Sequence, residues 1–414
     1  MTPGVIFGRR YGAGRSRKSH PVSFQGFTIV ELLLAALITL TVAGVVFKFL
    51  APAHRAFQSQ PEQSDLQQRL RVSVDALTRD LVMAGAGADR GPALGPLTNM
   101  IAPIMPYRAF GDMPDSAQAL FFRRDAISFM YVPSTASQTT VATALVPGAL
   151  DVQLEWSPSC PPTTATQICG FERGDRIVLL DKASQWDIFS VDQIGSGVLS
   201  LSHRGPPVVA RYEAGATAAE VRLGTYYLKS DDANRMYQLM RHDGWSTDLP
   251  VVDDVVRLEF RYFGDPEPPR LTGALLGEPP GPWTTYGPAP PRLNETTGSW
   301  AQGENCTFLV IDGEHVPRLN ALAGGGPALV ELTPAELTDG PWCPNALTPN
   351  RFDADLLRIR KIRVTVRVQS ALAMLRGPAG VLFLKGGTAR TGELYVPDVE
   401  VQFDIAPRNM NLER

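Results

Sequence analysis

Gly26, Phe27 and Glu31 have the types and the spacing for one specific chemistry. Glycine lets a peptidase approach the backbone closely, because there is no side chain in the way. Hydrolysis after Gly26 would leave Phe27 with a free α-amine. Glu31, the fifth residue of the shortened chain, then lies one helical turn from an amine, its own or a neighbouring subunit's. An amine is the natural counter-charge for such a carboxylate. Glu31 needs one, because it and Lys48 are the only charges within residues 27–50. A carboxylate deep in lipid costs up to about 3 kcal/mol, so its presence there is a functional hypothesis with a partner to be named.

The cysteines come next. Cys160, Cys169, Cys306 and Cys343 all follow the apolar run. An even number on an exported side reads as disulfides. Three connectivities exist, with four free buried thiols as the alternative. Pairing nearest in sequence gives Cys160–Cys169 and Cys306–Cys343, each bracketing a loop rich in Pro, Thr or Gly. No metal site is expected, because there is no Cys-x-x-Cys and no nearby His pair. Other catalytic patterns are missing. His20, His54, His203, His242 and His315 are scattered, and there is no Gly-x-Ser-x-Gly, Walker loop or dinucleotide fingerprint. Asp231, Asp232 and Asn234 lack the other ligands of a calcium loop and read as a solvated turn. Trp283 and Trp300 read as anchors for a loop or as binding aromatics. No cofactor is implied, and the chain reads as non-enzymatic.

The elements that position these residues begin with the apolar run. Residues 27–50 would form a helix about 36 Å long, enough to cross a hydrocarbon core of about 30 Å. Arg9, Arg10, Arg15, Arg17 and Lys18 precede it with no acid, which keeps the N-terminus cytoplasmic and sends the rest outward. Residues 1–26 read as a basic leader and 27–50 as a transmembrane helix. Residues 51–87 read as its amphipathic continuation, with a kink or local break at Pro52 and Pro61. Leu66, Leu70, Val74, Leu77 and Leu81 form one helical stripe, and Ala84-Gly85-Ala86-Gly87 ends the helix.

Residues 88–414 read as an antiparallel β domain outside the inner membrane. Alternation is clearest over 150–156, 256–262 and 399–405, with weaker strands at 127–132, 176–181, 186–194, 198–202, 222–229 and 235–241. A parity fault at Arg360-Lys361 predicts a β-bulge in a strand starting near Leu357. Pro/Gly-rich tracts at about 264–292 and 312–350 read as loop insertions without strands of their own.

The Gly26-Phe27…Glu31 pattern followed by the apolar run resembles the class III signal of the type IV pilin-like family. The segment 66–85, with Leu77-Thr78-Arg79-Asp80-Leu81 before Ala84-Gly85, is similar to the post-membrane helix of PilW-type minor pilins. The resemblance implies an α+β fold: a long N-terminal helix packed on an antiparallel sheet domain with long loops. It implies a prepilin peptidase that cuts between Gly26 and Phe27 and methylates the Phe27 amine. It also implies docking among other major and minor pilins through the N-terminal helix, with Glu31 as the docking charge. The protein would wait in the inner membrane before assembly and then enter a pilus. A J-type pseudopilin of a type II secretion or DNA-uptake system is the alternative within the class, and a membrane-anchored periplasmic binding protein or enzyme is the alternative outside it. An ordinary signal anchor, or a signal peptide cut after Ala53, is the plainer reading of the apolar run; a signal-peptide core is usually shorter.

The 414 residues include 37 glycines and 35 prolines, which suggests many turns and long loops rather than a helical bundle. The formal net charge of −3 becomes −8 once the five basic leader residues are removed, which argues against a broad nucleic-acid surface.

Overall fold

The computed structural model describes residues 26–89, 95–110, 122–158, 160–162, 164, 167–181, 186–195, 197–203, 211–268, 308–311, 314–317, 328–340, 342–344, 351–390 and 395–411. The chain divides into two units, Met1–Gln58 and Ser59–Arg414. One helix, Ile29–Met83, begins in the first and ends in the second. It is continuous through Pro52 and Pro61, so the local break expected at these residues does not occur. Each proline removes one backbone donor, which a helix of 55 residues survives.

In the first unit, Ile29–Phe49 is long and apolar enough to cross a membrane, and none of it is buried by the protein. In the second unit the stripe is inside. Leu66, Leu70, Leu77 and Leu81 are buried, whereas Val74 is only half-buried. Ser73 takes the core position instead, its hydroxyl satisfied by the Arg69 carbonyl at 2.9 Å. The helix ends where Gly85 adopts φ +86°, a left-handed conformation that glycine enters without steric cost.

The helix in this unit packs on a five-stranded sheet of Ile104–Met105, Ala126–Tyr131, Arg222–Asp231, Met236–His242 and Asp248–Asp253, in that order. A four-stranded sheet shares the same core. It orders Val330–Leu332, Val255–Gly264, Ile359–Val368 and Val399–Ile405. Its inner face carries Leu258, Phe260, Tyr262, Ile362, Val364 and Val366. Its outer face carries ion pairs such as Arg261–Glu331 and Arg363–Asp404. The expected bulge is present, because Phe263 faces Lys361 and Gly264 faces Ile359, which leaves Arg360 as the extra residue. The strand itself starts at Ile359. Leu357 and Arg358 belong to a 3-10 turn, Ala354–Arg358, capped by the Asp353 carboxylate.

The third large sheet is a closed barrel. Its order is Gln138–Thr140, Thr217–Glu220, Arg176–Leu180, Trp186–Ile194, Val198–His203 and Asp151–Gln153. The two end strands meet: Val141 bridges Leu154, and the Ala142 and Glu155 amides donate to the Gln153 and Thr140 carbonyls at 2.8 Å each. Closure leaves the sheet without a free edge. The interior is a separate apolar cluster that includes Val152, Leu179, Phe189 and Tyr212. Neighbours on the same strands, Val178, Leu180 and Ile188, point outward into the main core. The barrel is inserted between Ala126–Tyr131 and Arg222–Asp231, which themselves pair.

All strand pairings among the described residues are antiparallel. Residues 312–350, expected to be strandless, contain Glu314–Pro317, Val330–Leu332 and Trp342–Pro344. These strands are three or four residues long, too short for alternation to register. Most of the 264–292 tract, with Trp283 and also Trp300, lies outside the described residues.

Candidate functional site

Gly26, Phe27 and Glu31, the candidate site residues, lie at the head of the apolar helix. Gly26 is exposed, and a Cβ built on it would meet nothing within 4 Å among the described residues. The described fold therefore gives no packing reason for glycine at this position. Phe27 is 88% exposed. Thr28 and Glu31 form a reciprocal cap. The Thr28 amide donates to Glu31 Oε2 at 3.0 Å, the Thr28 hydroxyl donates to the same oxygen at 2.9 Å, and the Glu31 amide donates to Thr28 Oγ1 at 3.2 Å. This is the Ser/Thr-x-x-Glu arrangement that satisfies the orphan donors of a first helical turn. Thr28 was not singled out in the sequence, although its spacing from Glu31 carries the signal. The carboxylate is thus held by local donors at the start of an apolar span, where an unsatisfied one would be costly.

The second unit grips its part of the helix with polar contacts at several levels. Glu62 accepts the Ala371 amide at 2.6 Å. Arg69 pairs with Asp254 at 2.9 Å and with Asp65. Asp80, 3% exposed, accepts the Tyr226 hydroxyl at 2.8 Å and Arg241 Nε at 3.0 Å. Burial first, and then the Asp80 carboxylate, push the Tyr226 phenol above its usual range, so it stays a donor. Asn409 donates to the Met83 carbonyl at the helix end. The sequence carries no signal that Asp80 is buried; the structure places it between the helix and the sheet.

Cys160 and Cys169 are bonded, and both lie in the barrel's apolar cluster. Cys343 is buried and disulfide-bonded. Cys306 lies outside the described residues. Of the histidines, His242 is buried with Nδ1 accepting the Gly244 amide at 3.0 Å; the His20 region lies outside the description. Asp231 accepts the Asn234 amide at 3.0 Å, the local turn expected there.

Among the described residues, one acidic group brings oxygens together. Single carboxylate oxygens of Asp339, Asp353 and Asp355 lie within 4.8 Å of one another. Their existing partners give them a structural part. Asp353 accepts the Gly340 amide at 2.7 Å and the Asp355 amide at 2.8 Å, and Asp355 pairs with the buried Arg358. Burial pushes both Asp353 and Asp355 upward, and for Asp353 the neighbouring Asp355 adds repulsion.

No protein-family model matches the chain. Over 62 residues it is 37% identical to the pilin-like protein PilA3 of Thermus thermophilus. That stretch is 15% of this chain and 27% of the relative, so the chain matches about a quarter of the length of that protein. The likeness, the N-terminal apolar helix and the antiparallel sheets together support a type IV pilin-like α+β protein in general terms.

Proposed function

We propose that the chain is a minor subunit of a type IV pilus, PilW-like in type, and that its role is structural rather than enzymatic. The observation that carries this reading is the order of features on one helix. An exposed Gly26-Phe27 bond is followed by the Thr28–Glu31 cap, the apolar span Ile29–Phe49, and a continuation gripped by a β-rich unit. In this reading prepilin peptidase cuts after Gly26 and methylates Phe27. The subunit waits in the inner membrane as a single-pass protein with residues 88–414 in the periplasm. It then leaves the lipid by packing its N-terminal helix among other major and minor pilins.

Glu31 gives the step its direction. In lipid its charge depends on the Thr28 donors, whereas in a filament the Phe27 amine of a neighbour within about 4 Å adds an opposite charge in a weakly screened site. Glu31→Gln keeps size and hydrogen-bonding capacity and removes the charge. The expected result is normal cleavage after Gly26 with poor entry into sheared filaments. Incorporation of the cleaved Gln variant at the wild-type level would remove charge pairing from the account.

A further inference from the structure

Three buried side chains at one end of the four-stranded sheet each hold a polar atom that no other group satisfies. Gln369 follows, and Asp398 precedes, the pair Val368–Val399 that ends the ladder between their strands. Arg376 comes from the segment joining those strands. Gln369 is 1% and Arg376 5% exposed, and the Asp398 side chain is 0% exposed. Among the described residues, Gln369 Oε1, Arg376 Nε and Asp398 Oδ1 have no hydrogen-bond partner.

The rest of each group is held in place. Gln369 donates its amide to the Asp254 carbonyl at 3.0 Å and Nε2 to Asp254 Oδ1 at 3.4 Å. That carboxylate fixes which way the Gln369 side chain faces, because only Nε2 can donate to it. Asp398 Oδ2 accepts the Leu384 amide at 2.7 Å and Arg367 Nε at 3.0 Å. The joining segment folds back over Arg376: Ala389 donates to the Arg376 carbonyl at 3.1 Å, and a Cβ on Gly387 would collide with Arg376 Cβ. Burial raises the Asp254 and Asp398 carboxyls. Arg69 and Arg376 oppose the rise at the first, and the Leu384 amide, Arg367 and Arg376 oppose it at the second. The Arg376 guanidinium is therefore near both carboxylates, and Gln369 is tied to one of them.

A buried polar atom without a partner keeps the full cost of its desolvation, so three in one neighbourhood call for a ligand. The count of donors and acceptors selects its class. Arg376 Nε–H needs an acceptor, and Gln369 Oε1 and Asp398 Oδ1 each need a donor. A metal cation or an ammonium group offers Arg376 no acceptor. A halide offers neither oxygen a proton. One water molecule accepts once and donates twice, and about three hydrogen bonds is the usual complement of a buried water.

We infer that Gln369, Arg376 and Asp398 form a binding site for one buried water molecule. The water completes a polar relay that runs from Arg69 on the long helix, through Asp254 and Gln369, to Asp398 and Arg367 beside the sheet. The joining segment is thereby tied to the helix in two ways, by this relay and by the Ala371 amide on Glu62. The site stands apart from the filament reading above.

The test is a crystal structure of the full-length protein in detergent, at a resolution that shows ordered water. One water peak within about 2.5–3.2 Å of all three atoms is expected. A metal or a larger ligand at that place, or the three atoms turned onto other side chains, overturns the inference. Denaturant unfolding of the full chain gives a second test. Gln369→Leu and Arg376→Met are each expected to shift the folding equilibrium about tenfold toward the unfolded chain. The double variant is expected to shift it little further, because the first change already breaks the shared site. Single losses that multiply to about a hundredfold overturn the shared water.

Discussion

The two ends of one helix are built from similar residues and treated in opposite ways. In Ile29–Phe49 apolar residues face every direction, and Leu34, Leu37 and Leu40 are 58, 63 and 72% exposed. From Leu66 to Ala84 the residues Leu66, Leu70, Leu77, Leu81 and Ala84 are buried on one stripe, with Glu62, Arg69 and Asp80 tied to the surrounding structure. A helix that is apolar all round must find its cover outside its own fold, whereas a striped one finds it within. The chain therefore keeps one end for stability and leaves the other exposed, long and apolar enough to cross a membrane.

Substitution should separate the two ends. Leu77→Ala opens a cavity beneath the five-stranded sheet and should lower the stability of the β-rich unit by about 2–5 kcal/mol. Leu37→Ala removes the same atoms from an exposed site and should leave that stability within about 0.5 kcal/mol. Denaturant unfolding of the detergent-solubilised protein reads both. Equal effects would erase the distinction between the ends.

The barrel sharpens the contrast, because its disulfide is interior. Cys160→Ala with Cys169→Ala opens a short loop and should cost about 2–3 kcal/mol by the loop-entropy account. The same unfolding curve reports it. Insensitivity to reductant would show that the apolar barrel interior suffices without the bond.

A pH scan reads three carboxylates of the β-rich unit. Asp353 and Asp355 have folded pKa values above those of the unfolded chain, so the folded state holds the extra protons. Stability then falls as pH rises from about 4 through the raised values. Asp404 has the opposite sign. Arg363 first, then Lys361, hold it down to about 2, so its contribution is present above about pH 4 and fades as pH falls toward 2. Unfolding midpoints across this range, repeated with Asp353→Asn, should show the neutral-pH slope weaken in the variant. An unchanged slope would assign it to other groups.

Parts of this arrangement were legible in the sequence for physical reasons. Val255–Gly264 and Val399–Ile405 each have one face toward water, so their side chains alternate in type. The extra residue at Arg360 was visible as a break in parity. The barrel was not legible as a barrel. Arg176–Leu180 is apolar toward both the barrel interior and the main core, and Thr217–Glu220 is small and buried on both faces. Neither gives a period-two signal that identifies two separate cores. Asp80 was hidden by its charge, since acids default to the surface. Thr28 was less legible than Glu31, because a threonine at the head of an apolar run is unexceptional whereas a charge inside it is not.

The start of the mature chain decides whether this protein is processed as a pilin-like subunit. Intact and peptide mass measurement on the protein recovered from membranes or filaments should find Phe27 as the first residue, carrying one methyl group on its amine. A chain that still contains residues 1–26, or one that begins after Ala53, would contradict that processing.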